Sequence, residues 1–228
     1  MRSPQVPQWK YVLSYLWEQH IESAPSPLNP HLYVSLRSGR LQLSTANAVY
    51  SYEDRYENFV RAFDRVSLPT STGAPVLLLG LGLGSIPLIL EKRGLDYDYV
   101  GVEIDESVVY LAQKYVLNHL RSPLQVITTD AVHFVEVWST PFDLICVDIF
   151  LDDNIPLSVE QPVFLKSLRQ LLTPNGLLLY NRLARTAEDL AANQQFFDAA
   201  FRSVFPTAAY LDVGGNWILL NDGRFIPR

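Results

Sequence analysis

The residues that could carry chemistry lie in four short segments, each closing an apolar run. The first is VLLLGLGLGS (76–85). Gly80, Gly82 and Gly84 stand where a strand would turn into a helix, a place where glycine accepts positive φ and lets a ligand approach the backbone. Ser85 can cap that helix, and Pro87 fits its first turn. The spacing is G-x-G-x-G, and Ser85 occupies the place of the third glycine of a dinucleotide fingerprint. The second segment, YVGVEID (99–105), ends on Glu103 and Ile104, with Glu103 19 residues past Gly84. A carboxylate at that distance from a glycine-rich turn can accept hydrogen bonds from both hydroxyls of a ribose. Asp105 can cap the helix that follows. The third segment, TTDAVHFV (128–135), puts Asp130 and Ala131 at a strand end, where the acid can accept from an exocyclic amine of adenine, cap the next helix, or do both. The fourth, FDLICVDIFLDD (142–153), places Asp148 at the close of a strand with Asp152 and Asp153 in the loop beyond. Ligands of open α/β sheets bind outside the carboxyl ends of the strands. Three carboxylates there could hold a cationic amine, and one could accept its proton. For Asp152 and Asp153 a solvated loop is the competing reading.

Other chemistries are poorly served. His20, His31, His119 and His133 have no metal-ligand spacing, and with Cys146 as the one cysteine no metal site is expected. Cys146 sits in an apolar run and reads as a buried structural thiol in a reducing compartment. No G-x-S-x-G elbow or Walker loop occurs. The net charge of −6 argues against a nucleic-acid partner and suits small cationic or neutral substrates. No run reaches the ~20 apolar residues of a membrane span, and the N-terminus lacks an apolar signal core, so a cytoplasmic protein without a membrane partner is expected.

The elements that must position these residues can be read from periodicity. VLLLG (76–80), YVGVEI (99–104), LQVIT (124–128), FDLICVDI (142–149) and GLLLY (176–180) are near-continuous apolar runs, as parallel strands buried on both faces require. Helical stretches lie between them, near 86–94, 105–118, 131–137 and 160–172, with TPNG (173–176) as a turn. After a helix near 187–204, TAAYLDV and NWILL flank Gly214-Gly215 and read as an antiparallel hairpin. Ahead of this unit, Trp9, Val12, Leu13, Leu16 and Trp17 recur at helical spacing and predict an amphipathic helix over 8–20. APSPLNP (24–30) reads as a linker, and short strands follow near 32–36, 41–43 and 47–50. A helix is expected over 53–66, with Tyr52, Tyr56, Phe59 and Phe63 on one core face. The expected fold is α/β: a mostly parallel, Rossmann-like seven-stranded sheet ending in a hairpin. A helix and small β-sheet (1–50) precede the main domain (51–228).

VLLLGLGLGS, VGVEID, TTDAVHFV and FDLICVDIF, in this order and spacing, resemble the spermidine synthase family of the S-adenosylmethionine-dependent methyltransferase superfamily. The resembling stretch runs from about 31 to 220. The likeness implies a methyltransferase-type fold and S-adenosylmethionine or its decarboxylated form as cofactor. It implies Gly80, Gly82, Gly84, Ser85, Glu103, Ile104, Asp130 and Ala131 as its binding residues, and Asp148 and Asp152 at the reaction centre. The sequence departs from the family pattern on the polyamine side. Leu83 stands where the glycine loop usually carries an acid, Tyr50 replaces a usual glutamine, and Glu57-Asn58-Phe59-Val60 replaces a tyrosine–histidine–glutamate trio. Asp152 falls one residue later than the usual second carboxylate.

The reading is therefore a transferase moving an alkyl group from a sulfonium to a small acceptor, an amine among the candidates, with methyl and aminopropyl transfer both open. A true spermidine synthase and a non-catalytic cofactor-binding module are the alternatives; a nicotinamide enzyme fits the loop spacing less well. A homodimer is allowed.

Overall fold

The computed structural model describes residues 3–227. A short helix α1 (Gln8–Leu13) leads into four antiparallel strands, β1 (Gln19–Ser23), β2 (Tyr33–Arg37), β3 (Arg40–Ser44) and β4 (Val49–Ser51), paired in that order. Helix α1 is half the expected length, and its apolar stripe faces outward: Trp9, Leu16 and Trp17 are 57%, 73% and 58% exposed. The other side turns inward. Tyr11 is buried with its hydroxyl accepting from the Ser3 N–H, and Ser14 Oγ accepts from the Gly39 N–H. Strand β1, within QHIES, lies where the helix was expected to end and pairs with β2 through a bulge.

The main sheet contains β5 (Ala74–Leu79), β6 (Tyr97–Glu103), β7 (Leu124–Thr128), β8 (Phe142–Val147), β9 (Leu172–Ala184), β10 (Ala209–Asp212) and β11 (Gly215–Leu220), in the order β10-β11-β9-β8-β5-β6-β7. The five strands from β9 through β7 are parallel; β11 runs antiparallel to both neighbours. Helix α2 (Glu57–Phe63) precedes the sheet. Helices α3 (Ser85–Lys92), α4 (Glu106–Tyr115), α5 (Ala131–Val137), α6 (Pro162–Gln170) and α7 (Ala187–Phe196) follow strands β5, β6, β7, β8 and β9 in turn. The TPNG turn falls inside β9 as a bulge: Phe142 pairs with Leu172, but Leu144 pairs with Leu177.

Burial explains the continuous apolar runs. Leu77, Leu79, Ile145, Val147, Leu178 and Tyr180 pack on one face with residues of α5, α6 and α7. Val76, Leu78, Leu144, Cys146, Leu177 and Leu179 pack on the other with α2 and α3. A third core joins the N-terminal sheet to α4 through Val34, Leu36, Leu41, Leu43, Val108, Leu111 and Leu83. Burial pushes the Cys146 thiol well up, as an inert core thiol requires.

From β5 the chain moves outward to β6 and β7, then returns to the opposite side of β5 as β8. The carboxyl ends of all four strands therefore share one edge, with the change of direction at β5.

Candidate functional site

That edge carries a cleft enclosing about 960 Å3, its open mouth included. Glu103, Asp130 and Asp148 line it, together with Gly80, Gly82, Ile104 and Ala131. The predicted set thus largely converges. Gly84, Ser85 and Asp152 do not reach this cleft.

The glycine turn is shaped by two different demands. At Gly80 (φ +86°) a Cβ would stand 2.1 Å from the Asp148 carbonyl oxygen, so glycine lets the β5 and β8 loops touch. Gly84 (φ +86°) is the N-cap of α3, and a Cβ there would meet Leu117 at 2.6 Å. Its smallness serves packing. Ser85 is buried and bonds to Ser51 Oγ (2.6 Å) and the Tyr52 N–H (3.0 Å), tying the turn to β4. Leu83 lies in the third core, fully buried. A charge at position 83 would therefore have to be buried, and the side chain there contributes nothing to the cleft.

Glu103 organises the floor. Its Oε2 accepts from the Leu81 and Gly82 N–H groups (3.2 and 3.3 Å), and its Oε1 from those of Ile104 and Asp105 (2.9 and 3.1 Å). Burial raises its pKa against these four bonds, which favour the anion. Ile104 stands beside it, 44% exposed, an apolar side chain offered to whatever fills the cleft. Asp105 turns away, capping α4 and accepting from Ser26 and Asn29. Asp130 caps α5, but both bonds, to the Val132 and His133 N–H groups, fall on Oδ1, leaving Oδ2 available.

Asp148 sits at the inner end. Asn181 Nδ2 donates to its Oδ1 (2.8 Å), and the Tyr56 hydroxyl bonds to the same carboxylate. Burial pushes its pKa up to about 6, opposed by those two bonds and reinforced by the charge of Glu103. Burial, with the Asp148 charge beside it, also holds the Tyr56 hydroxyl protonated. Tyr56 was expected on a core face with Phe59 and Phe63. Those two enter the core, and Tyr56 packs against it, stacked on Phe59, while also lining the cleft.

Asp152 takes a different place from its neighbour in sequence. Its carboxylate accepts from Thr45 Oγ1 (2.5 Å), Asn47 Nδ2 (2.5 Å) and the Asn47 N–H (3.1 Å), bonds that lower its pKa. Its own N–H donates to Tyr50, whose hydroxyl in turn donates to Asn29 Oδ1 (2.7 Å). The loop after β8 is thereby latched to the N-terminal sheet beside the cleft, which Tyr50, Phe150 and Leu151 line. Asp153 is exposed and, among the described residues, its carboxylate accepts only from Asn154 Nδ2.

Sequence reasoning missed Tyr56, Asn181 and Asn29. Asn181 had a signal: it is a polar residue directly after the apolar run of β9, the same signature that marked Asp148. Asn29 sits in the proline-rich linker, where nothing in sequence marks it. Among the described residues no cluster of His, Cys, Asp and Glu could hold a metal ion, and no helix is long and apolar enough to cross a membrane.

The strand order and the terminal hairpin define a Rossmann-like fold of the methyltransferase type. No family model matches the chain. In sequence it is similar to polyamine aminopropyltransferases. It is 25% identical over 173 residues to a probable polyamine aminopropyl transferase of Bifidobacterium longum (strain NCC 2705), covering 72% of this chain and 38% of that protein. It is 29% identical over 136 residues to the polyamine aminopropyltransferase of Vibrio vulnificus (strain CMCP6), covering 57% and 43%. The chain thus spans less than half the length of these relatives. In fold it is similar to a probable spermidine synthase from Corynebacterium glutamicum ATCC 13032 (TM-score 0.67, 18% identity, 88% of this chain and 78% of that one). It is also similar to human Methyltransferase-like protein 13, solved in complex with SAH (TM-score 0.56, 24% identity, 65% and 71%).

Proposed function

We propose that this chain is a transferase that binds S-adenosylmethionine, or its decarboxylated form, in the cleft and moves an alkyl group from the sulfonium to a small amine. The observation that carries the reading is the convergence of Glu103, Asp130 and Asp148 with the bare backbone of Gly80 and Gly82 on one cleft. The donor set fits such a ligand: a carboxylate for ribose hydroxyls, a free carboxylate oxygen for an adenine amine, and Ile104, Ala131, Ile149 and Val159 as apolar walls for the base.

Once bound, the sulfonium supplies an electrophilic carbon and a thioether leaving group. The protein's residues do the rest. Glu103 and Asp130 position the nucleoside. Asp148, with a pKa near 6, is mostly ionised at neutral pH and can take the proton that the amine must lose. Asn181 and Tyr56 fix the orientation of that carboxylate. The Asp152 latch holds the loop beside the cleft and limits water, so that placement of donor against acceptor supplies much of the rate.

Leu83, fully buried in the third core and outside the cleft, does not discriminate between the two donors, so methyl and aminopropyl transfer are separated by assay. The test is incubation with each donor and a panel of amines, read by mass spectrometry. A methylated product assigns ordinary S-adenosylmethionine as the donor, an aminopropylated one assigns the decarboxylated form, and tight donor binding without product points to a non-catalytic module.

A further inference from the structure

A second recess of about 830 Å3, mouth included, adjoins the cleft, and Tyr50, Tyr56 and Phe150 line both spaces. Resting on the transferase reading above, we infer that this recess receives the acceptor, and that the acceptor is an amine whose far end carries a carboxylate rather than a second ammonium.

The charge distribution carries the argument. Arg55 and Arg185 line the recess, both exposed, and neither guanidinium has a hydrogen bond or ion pair among the described residues. The carboxylates of the same wall are already engaged. Glu57 pairs with Arg61, and Asp152 is bonded to Thr45 and Asn47. The remaining polar lining is uncharged: the amides of Asn58, Asn181 and Asn216 and the hydroxyls of Tyr50, Tyr52 and Tyr56. A diamine needs an acid at each end of its site. Here the inner end has Asp148, reached through Asn181, which lines the recess and bonds to both Asp148 and Asn216. Beyond Asn181 the recess lining offers two free planar donors, Arg55 and Arg185. These repel an ammonium and match a carboxylate, which guanidinium groups can bind through paired hydrogen bonds. Tyr50, Tyr52 and Tyr56 supply the apolar sides for the carbon chain between them.

The step balances without any further reagent. The acceptor nitrogen gives a proton to Asp148, and its lone pair attacks the carbon on the sulfonium. The C–N bond forms as the C–S bond breaks, and the bonding pair stays on sulfur as the neutral thioether.

The test compares matched ligands, α,ω-diamines and ω-amino acids of equal chain length such as 1,4-diaminobutane and 4-aminobutanoate. Each is titrated by calorimetry into protein loaded with S-adenosylhomocysteine. The amino acids should bind about tenfold tighter than the diamines, the low end for a charged hydrogen bond because both guanidinia are exposed. Arg185→Ala and Arg55→Ala should each reduce that preference by weakening the amino acid alone, and Arg185→Lys should restore part of it. Equal or better binding of the diamines, no heat from either class, or a preference untouched by the arginine variants would overturn the inference. The loading titration judges the cleft separately. If S-adenosylhomocysteine does not bind, the transferase reading falls, and the same ligand comparison on unloaded protein still decides what the recess prefers.

Discussion

Replacing Glu103 by glutamine probes the floor of the cleft with the smallest change of shape. The wild-type carboxylate accepts four backbone N–H groups, two on each oxygen. Glutamine keeps one acceptor oxygen, which should remain on the shorter pair from Ile104 and Asp105. Its amino group then faces the Leu81 and Gly82 donors, which lose their acceptor. A ribose whose hydroxyls donate to the same carboxylate would lose a charged acceptor as well. One lost charge-assisted bond is worth roughly 1.5–3 kcal/mol, or about 10- to 150-fold in affinity. The assay is calorimetric titration with S-adenosylmethionine, paired with circular dichroism to show that the variant is folded. Affinity within twofold of wild type in a folded variant would refute the assignment of Glu103 to the ligand.

Four other outcomes are expected. Asp148→Asn should lower turnover by roughly 10²–10⁴-fold, the scale of a lost general base, and abolish the rise of the wild-type rate through about pH 6; a variant rate that still rises there would assign the titration elsewhere. Because Asp148 has a higher pKa folded (about 6) than in the unfolded chain (3.8), its contribution to stability is full below pH 3.8 and is lost as pH rises through 6. The variant should therefore gain on wild type across that window by roughly 3 kcal/mol, less to the extent that solvent reaches the group, as urea melts at pH 4 and pH 7.5 would measure. Leu83→Asp should destabilise by several kcal/mol, as a buried unpaired charge does, and give no new donor preference; a stable variant that now selects the decarboxylated donor would show that position 83 faces the ligand after all. Asp152→Ala should raise KM for donor and acceptor with little change in melting temperature, and Asn47→Ala added to it should cost little more, because both cut one latch; additive losses would argue against a shared latch.

The parallel sheet was legible because strands covered on both faces must be apolar at every position, so β5, β6, β8 and the centre of β9 appear as unbroken runs. The same logic located Glu103, Asp130 and Asp148, since a charged residue that ends such a run lies on the carboxyl edge of the sheet, where the cleft opens. What failed was whatever depended on long-range geometry. The partners of Asp152, at Thr45 and Asn47, lie 107 and 105 residues away, and no local pattern separates a latch from a reactive acid. The direction of Leu83 is set by α4 packing over the glycine turn, which the motif does not encode. The stripe from Trp9 to Trp17 has helical spacing but points outward, because the Tyr11–Ser14 side holds the contacts with Ser3 and Gly39. Strand β1 was hidden by its polar composition, QHIES, which suits an edge strand with a bulge.

The central claim, that the carboxyl edge of the sheet holds an adenosyl sulfonium, is tested most directly by titrating the protein with S-adenosylmethionine, its decarboxylated form, methylthioadenosine and NAD in parallel. The account predicts saturable one-site binding of S-adenosylmethionine, weaker binding of methylthioadenosine, and none of NAD. Binding of NAD with no response to any adenosyl sulfonium would contradict it.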